Sequence, residues 1–277
     1  MAMNWPTFFT RLGSAIVFSV IMMGGLLWNK WAFLVLVSLV LVLCLHEYFK
    51  LIRKIDAEEQ WPEWLETLVS AISLVWLWLF FFTYNYQYPW PVLLFFPVLV
   101  LLATALSKKH ALRAGMYAIG GMIYLLLPMV LLLEMRFISL AIPLALVLMI
   151  WMNDTMAYIV GSFIGKTPFS EISPKKTWEG TAGGVILTIA GAAIWGHFSH
   201  YYNMIDWMVL ALCASLAGTA GDLLESKLKR MAGVKDSGAI MPGHGGALDR
   251  FDSLLVATPF AFCYTYFFMP PVHITVF

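Results

Sequence analysis

Long apolar runs separated by short polar segments dominate this sequence. We count nine runs that can cross ~30 Å of hydrocarbon as a helix, which takes about 17–25 residues; counts of eight or ten also fit the pattern. The sequence therefore predicts an all-α integral membrane protein with a single polytopic domain over residues 1–277. The predicted spans are 12–29, 31–46, 66–83, 91–106, 117–134, 138–163, 181–199, 206–224 and 253–269.

Composition agrees with a chain that lies in lipid. Apolar residues make up 61% of the sequence and charged residues only 12%, whereas soluble domains carry roughly 25% charged residues. The three cysteines lie in apolar runs without Cys-x-x-Cys spacing, so they predict neither a disulfide framework nor a metal site. The first run lacks a clear small-residue cleavage site, so we expect an uncleaved first helix.

The positions of the basic residues predict the orientation in the membrane. With a cytoplasmic N-terminus and alternating sides, fifteen of the 17 Lys and Arg residues fall in cytoplasmic segments, and only Lys30 and Arg136 fall outside. Short cytoplasmic loops retain Lys and Arg in this way. We therefore predict a multi-pass protein of the cell (inner or plasma) membrane with its N-terminus inside and its C-terminus outside. The charged loop Ser226–Ser253 then faces the cytoplasm.

The segment that follows the second run alternates apolar and charged positions. Tyr48, Leu51, Ile52 and Ile55 recur at helical spacing among charges, which predicts an amphipathic helix lying at the membrane interface; a solvated linker helix is the alternative. At the start of this segment, His46 and Glu47 are either site residues or ordinary interfacial residues.

The sixth run contains a carboxylate at membrane depth. Asn153 and Asp154 interrupt it, and an ionisable side chain there is costly unless it faces a polar cavity or a partner. A functional role is the first hypothesis, and a hydrogen-bonded structural Asp is the alternative. Farther along, two hydroxyls and two lysines precede the next apolar helix and suit anion binding, although Lys pairs also occur as plain topology signals. They are Ser173, Lys175, Lys176 and Thr177.

Carboxylates recur near the end of the eighth run and at the start of the ninth. Asp222, Glu225, Ser226 and Lys229 share one face of a helix, because their spacing is i, i+3, i+4 and i+7. Oxygen ligands of this kind suit Mg²⁺. We predict that Asp222 and Asp249 bind the metal. For Asp236 and Asp252, metal binding and pairing with nearby cations are both open.

A glycine-rich turn, Pro242–Gly246, lies between these carboxylates. Glycine lets backbone N–H groups approach phosphate oxygens that a side chain would block. We predict that His244 within the turn is a hydrogen-bond donor and not a zinc ligand, because the sequence has no second His at the spacing typical of zinc sites.

These blocks closely resemble the signature of the phosphatidate cytidylyltransferases. The resemblance rests on Ser226-x-Leu228-Lys229-Arg230, Lys235-Asp236-x-Gly238 and Pro242-Gly243-His244-Gly245-Gly246-x-x-Asp249-Arg250-x-Asp252. Three upstream blocks also match: Asn153-Asp154-x-x-Ala157-Tyr158, Ser173-Pro174-Lys175-Lys176-Thr177 and Gly221-Asp222-Leu223-x-Glu225-Ser226. Together they cover roughly residues 150–253, within a predicted catalytic half of about 138–269 that follows N-terminal spans of about 1–134.

The resemblance implies a reaction and a set of partners. The family transfers CMP from CTP to phosphatidic acid, which gives CDP-diacylglycerol and pyrophosphate in phospholipid biosynthesis. It implies Mg²⁺ as cofactor with K⁺ as a second cation, CTP and phosphatidic acid as substrates, the lipid bilayer as surroundings, a homodimer, and no nucleic acid.

The resemblance and the residue chemistry together assign the predicted roles. Catalysis falls to Asp222, Asp249, Lys229, Arg230, Arg250, Lys175 and Lys176. Substrate binding falls to Asn153, Asp154, Ser173, Thr177, Ser226, Asp236, Gly243, His244, Gly245 and Gly246. The metal ligands are Asp222, Asp249 and Asp252.

Two other classes of function stay open at this point. A CTP-dependent polyprenol or phytol kinase shares membrane helices and nucleotide use, but it releases CDP instead of pyrophosphate. An ion-coupled secondary transporter would use Asp154 and Asp222 to bind its ion, although the sequence shows no repeat symmetry. The CDP-alcohol phosphotransferases fit less well, because their D-G-x-x-A-R pattern is absent.

Overall fold

The computed structural model describes residues 5–59, 61–84, 95–107, 112–199, 201–240 and 245–269. Over these ranges the chain forms ten α-helices and one π-helical segment, and Pro168 and Thr177 form an isolated antiparallel β-bridge. The all-α prediction is confirmed for this part of the chain. The helices are α1 (Trp5–Leu27), α2 (Lys30–Ile55), α3 (Glu63–Thr83), α4 (Phe95–Ala105), α5 (Leu112–Gly121), the π-helical segment Met122–Leu126, α6 (Leu127–Ile138), α7 (Ala141–Ile164), α8 (Trp178–Phe198), α9 (Met204–Met231) and α10 (Leu248–Phe268).

Seven helical stretches in the described ranges are long and apolar enough to cross a membrane. One of them, Leu112–Ile138, runs without a break from α5 through the π-helical segment to α6. Two shorter apolar helices, Leu12–Leu27 and Phe96–Ala105, overlap the predicted first and fourth spans. The chain is therefore a multi-pass α-helical membrane protein, and the count of nine spans stays a prediction.

The separate interfacial helix predicted after the second span is wrong. α2 continues through this segment to Ile55, because no Gly or Pro interrupts it. The apolar side of the segment packs inside the protein: Leu51 and Ile52 are buried, and the hydroxyl of buried Tyr48 donates to the carbonyl of Tyr117 at 3.0 Å. The amphipathic pattern thus marks a protein-facing side of a long helix, not a lipid-facing one.

The chain packs as two compact units. Unit 1 takes the residues up to Leu133 together with Leu228–Arg250. Unit 2 takes Glu134–Lys227 together with the residues from Phe251 onward. α9 and α10 therefore each contribute residues to both units. The prediction of a single domain stays a prediction.

In unit 2, α7 and α8 approach each other closely because α8 carries glycines on the shared face. A Cβ atom on Gly184 would lie 2.8 Å from the carbonyl oxygen of Asn153, and one on Gly180 would lie 2.7 Å from that of Ala157. The hydroxyl of Thr177 caps the start of α8 by accepting from the Gly180 N–H at 3.1 Å. This packing brings the polar end of α7 next to the beginning of α8.

Candidate active site

A polar cavity of about 440 Å³ lies within unit 2. It collects residues from α7, from the loop that precedes α8, from α8 and from α9. The sequence predicted seven of its lining residues as site residues, and the structure brings these seven together. They are Asn153, Asp154, Ser173, Lys175, Lys176, Thr177 and, from α9, Asp222.

The loop before α8 has a fixed base that presents its lysines to the cavity. The Phe169 N–H donates to the Lys176 carbonyl at 2.8 Å, and the Trp178 N–H donates to the Thr167 carbonyl at 3.0 Å. The carboxylate of Glu179 accepts from the Thr167 hydroxyl at 2.8 Å and from the Lys166 N–H at 3.2 Å. Local hydrogen bonds therefore hold the loop that carries Ser173 to Thr177.

Asp222 connects this loop to α9. Its carboxylate is contacted by the ammonium group of Lys176, and it accepts a long hydrogen bond of 3.4 Å from the Ser226 hydroxyl one turn farther along α9. Two sequence blocks predicted to bind phosphate and metal thus meet in one cavity.

Asp222 also belongs to a cluster of three carboxylates within unit 2. One oxygen from each of Asp222, Glu225 and Asp252 lies within 4.8 Å of the others. Glu225 is fully buried and Asp252 is 9% exposed. Gly221 lets α9 and α10 approach here, since a Cβ atom on it would collide with the carbonyl of Asp252. Three oxygen donors at this separation fit Mg²⁺, which takes carboxylate ligands and completes its shell with water or phosphate.

Glu225 was missing from the metal ligands predicted from sequence. The signal was present, because Glu225 follows Asp222 by three residues on the same helix face. Beside Asp222 and Asp252, the predicted set instead contained Asp249, a residue of unit 1.

In unit 1, Asp249 lies in the first turn of α10 and is held by donors on both oxygens. Its Oδ1 accepts from the Lys229 ammonium at 2.5 Å. Its Oδ2 accepts from the N–H groups of Gly246 and Ser237 at 2.7 and 2.9 Å, and the Ser237 hydroxyl lies 3.0 Å away. Charged and backbone donors of this kind hold the carboxylate in one orientation.

Glu47 is a second buried carboxylate of unit 1, and it is only 2% exposed. It lies on α2 and accepts from the N–H groups of Ala247 and Leu248 at 2.9 and 2.8 Å, at the start of α10. Its third donor is the hydroxyl of Ser237 at 2.7 Å. The sequence left its role open; the available signal was a carboxylate directly after the end of an apolar run.

The other predicted residues have varied surroundings. Asn153 is 3% exposed, and its side-chain oxygen has no hydrogen-bond partner among the described residues. Arg230 donates to the Val234 carbonyl at 3.1 Å, while Arg250 is exposed.

Asp236 lines a small pocket of unit 1 together with Lys50 and Lys54. Gly245 and Gly246 lie against Asp249 and Glu47, whereas Gly243 and His244 lie outside the described residues.

Comparison with known proteins places this chain in a family. The model of the cytidylyltransferase family matches residues 9–268 of the chain. A phosphatidate cytidylyltransferase of Synechocystis sp. is 32% identical over 284 residues, which cover 94% of this chain and 95% of that protein. The chain belongs to the cytidylyltransferase family.

Two further relatives match over a shorter segment. A phosphatidate cytidylyltransferase of Haemophilus influenzae is 42% identical over 128 residues, which cover 44% of each chain. One of Bacillus subtilis is 47% identical over 115 residues, which cover 41% of this chain and 43% of that protein. These two alignments thus span less than half of the relatives' own length.

Proposed function

We propose that this chain is a phosphatidate cytidylyltransferase, a membrane nucleotidyltransferase that makes CDP-diacylglycerol from CTP and phosphatidic acid. The observation that carries the proposal is the carboxylate cluster of Asp222, Glu225 and Asp252, with Lys176 in contact with Asp222 at a polar cavity. Transfer of CMP from one phosphate to another requires carboxylates that bind a metal and cations that bind the phosphates. This arrangement, in a protein of the cytidylyltransferase family, supplies both.

The chemistry needs positioning more than proton transfer. A phosphate oxygen of phosphatidic acid forms a bond to the α-phosphorus of CTP. The bond between the α-phosphorus and the oxygen that bridges it to the β-phosphorus breaks. Pyrophosphate leaves with the electron pair, and CMP stays on the lipid phosphate. Because the nucleophile is already an anion, no general base is required, and the main obstacle is repulsion between two polyanions.

The residues of unit 2 supply the ligands for the cofactor. Asp222, Glu225 and Asp252 hold Mg²⁺ in this proposal, and Asp249 remains the further ligand predicted from sequence, with K⁺ as the second cation. When bound, Mg²⁺ neutralises the triphosphate and the leaving pyrophosphate. The buried positions of Glu225 and Asp252 keep their carboxylates fixed while substrates exchange.

The lysines hold the substrate phosphates. Lys175 and Lys176 line the cavity on a loop whose base is fixed by hydrogen bonds, so the ammonium group of Lys176 stays in contact with Asp222 without a large entropic cost. In unit 1, Lys229 is 9% exposed and is oriented by Asp249. Arg230 and Arg250 complete the set of cations. Preorganised positive charge of this kind stabilises the charge that develops on the leaving group.

The charge distribution favours a site on the cytoplasmic side of the cell membrane. Nine spans with the N-terminus inside put the Ser226–Ser253 loop where CTP is available, while the apolar helices keep the acyl chains of phosphatidic acid in lipid. Two copies of the chain form a homodimer in this proposal, as the family resemblance implies.

Release of pyrophosphate tests the proposed reaction. Purified protein in detergent is mixed with CTP, phosphatidic acid and Mg²⁺, and each component is left out in turn. The proposal expects release only when all three are present. Release from CTP without phosphatidic acid, or none with the complete mixture, would contradict it.

A further inference from the structure

The hydroxyl of Ser237 lies between the two buried carboxylates of unit 1. Its oxygen is 2.7 Å from Oε2 of Glu47 and 3.0 Å from Oδ2 of Asp249. A serine hydroxyl has a single hydrogen, so it donates to one carboxylate at a time. The shorter distance favours Glu47. Oδ2 of Asp249 then accepts from the N–H groups of Ser237 and Gly246, and its Oδ1 accepts from the ammonium group of Lys229.

Glu47 also determines where the backbone next to Asp249 lies. It accepts from the N–H groups of Ala247 and Leu248, which precede Asp249 directly in the sequence. These N–H groups lie at the start of α10, where unpaired donors and the helix dipole favour a negative charge. A carboxylate from α2 thus caps the helix that carries Asp249.

Two glycines show how closely the loop surrounds this carboxylate. A Cβ atom on Gly238 or on Gly246 would collide with the carboxylate oxygens of Glu47. The glycines at these positions of the motif therefore make room for a carboxylate of the protein itself. The N–H of Gly246 is likewise used within the protein, since it donates to Asp249.

We infer that Glu47 is a positioning residue for cytidylyl transfer, which holds Ser237 and the start of α10 so that Asp249 and Lys229 keep one orientation. The inference rests on the proposed function. It assigns a role to a residue of α2, whereas every site residue predicted from sequence lies between Asn153 and Asp252. Partners that orient a ligand in this way change metal affinity or activity about 10- to 100-fold when they are removed.

The test compares three single variants. Glu47→Gln keeps the size of the side chain but places an NH₂ group where a carboxylate oxygen accepts hydrogen bonds. Ser237→Ala removes the hydroxyl shared by Glu47 and Asp249. Glu66→Gln is the matched control. Glu66 lies on α3 and binds His46 and Arg53 of α2, the helix that carries Glu47, at 2.7 and 2.9 Å. Among the described residues, no hydrogen bond or ion pair joins it to Ser237. The measurements are the Mg²⁺ concentration for half-maximal CMP transfer, the KM for phosphatidic acid, and the affinity for Mn²⁺ without substrates, by electron paramagnetic resonance.

Glu47→Gln is expected to raise the half-saturating Mg²⁺ concentration about tenfold or more and to weaken Mn²⁺ binding similarly, while the KM for phosphatidic acid stays unchanged. Ser237→Ala should shift both quantities in the same direction. The double variant should lose less than the product of the single losses, because both changes act on one contact. Glu66→Gln should leave the metal response at the wild-type value.

A wild-type metal response in Glu47→Gln overturns the inference, and so does a shift equal to that of Glu66→Gln. If Glu47→Gln does not fold, Ser237→Ala decides in the same way. The proposed function fails separately: wild-type protein that binds Mn²⁺ but transfers no CMP contradicts that function, while the Mn²⁺ affinities of the variants still test the positioning role.

Discussion

The ammonium group of Lys176 contacts a carboxylate oxygen of Asp222. The first residue belongs to the loop before α8 and the second to the last turns of α9, so two separate sequence blocks meet at this contact. Asp222 is proposed to bind the metal. Lys176 neutralises its carboxylate when no other cation is near, and it lies close to any phosphate that the metal binds.

Removal of the Asp222 carboxylate should abolish the reaction. We expect Asp222→Asn to lower CMP transfer by at least about 100-fold, since even outer partners of metal ligands account for 10- to 100-fold. Asp206→Asn is the matched control on the same helix: Asp206 accepts from Tyr264 and Asn203 at 2.8 and 3.1 Å and lies outside the polar cavity. Turnover of Asp222→Asn near the wild-type rate would rule out its role as a ligand.

Glu225 distinguishes the carboxylate cluster from the ligand set predicted from sequence. We expect Glu225→Gln to raise the Mg²⁺ requirement of CMP transfer about tenfold or more, because it replaces one of three clustered carboxylates by an amide. A titration of the initial rate with Mg²⁺ measures this. An unchanged Mg²⁺ requirement would exclude Glu225 from the metal site. The ligands would then be Asp222, Asp249 and Asp252, as predicted from the sequence.

Lys176 should act mainly through CTP. A hydrogen bond to a charged group contributes ~1.5–3 kcal/mol, so Lys176→Gln should raise the KM for CTP about 10- to 100-fold. Lys166→Gln is the control, because Lys166 lies at the base of the same loop and does not line the cavity. Equal kinetic constants for the two variants would contradict the assignment.

The sequence predicted which residues share the cavity better than it predicted the contacts between them. The blocks around Asn153 and Asp222 interrupt apolar runs with polar groups, and the block around Lys176 directly precedes such a run. Polar groups at membrane depth need a common polar space. The spacing of Asp222 and Glu225 was visible too. The lengths of the apolar runs also predicted most of the membrane helices.

The partners of Glu47 could not be predicted in this way. Its contact with Ser237 joins residues 190 positions apart, and no local pattern records such a pairing. The error at residues 46–55 has the same origin: an amphipathic pattern indicates that one face is apolar, but it does not tell whether protein or lipid covers that face.

Two glycines with positive φ among the described residues provide a test of the Asp249 site. Gly233 and Gly245 have φ values of 68° and 83°, so alanine at either position costs about 1–2 kcal/mol of folding free energy. A Cβ atom on Gly245 would also lie 2.5 Å from Oδ2 of Asp249, whereas one on Gly233 would meet no atom within 4 Å. Both variants should melt at lower temperature, but only Gly245→Ala should also lose CMP transfer per folded molecule. Equal specific activities of the two folded variants would contradict the proposed role of Asp249.

The proposed orientation can be tested with two single cysteines. Trp28 is 82% exposed between α1 and α2, and Ala239 is exposed in the charged loop. In sealed right-side-out vesicles, a membrane-impermeant maleimide should label Trp28→Cys directly and Ala239→Cys only after permeabilisation. The unsubstituted protein gives the background from its three cysteines. Labelling of Ala239→Cys in sealed vesicles would reverse the orientation.

The position of the radioactive phosphate in the lipid product tests the central claim most directly. Purified protein is incubated with phosphatidic acid, Mg²⁺ and CTP labelled with ³²P at either the α- or the γ-phosphate, and the lipids are extracted. Cytidylyl transfer predicts that the α-label enters the lipid as CDP-diacylglycerol and that the γ-label leaves as pyrophosphate. Entry of the γ-label into lipid would identify a kinase and contradict the account.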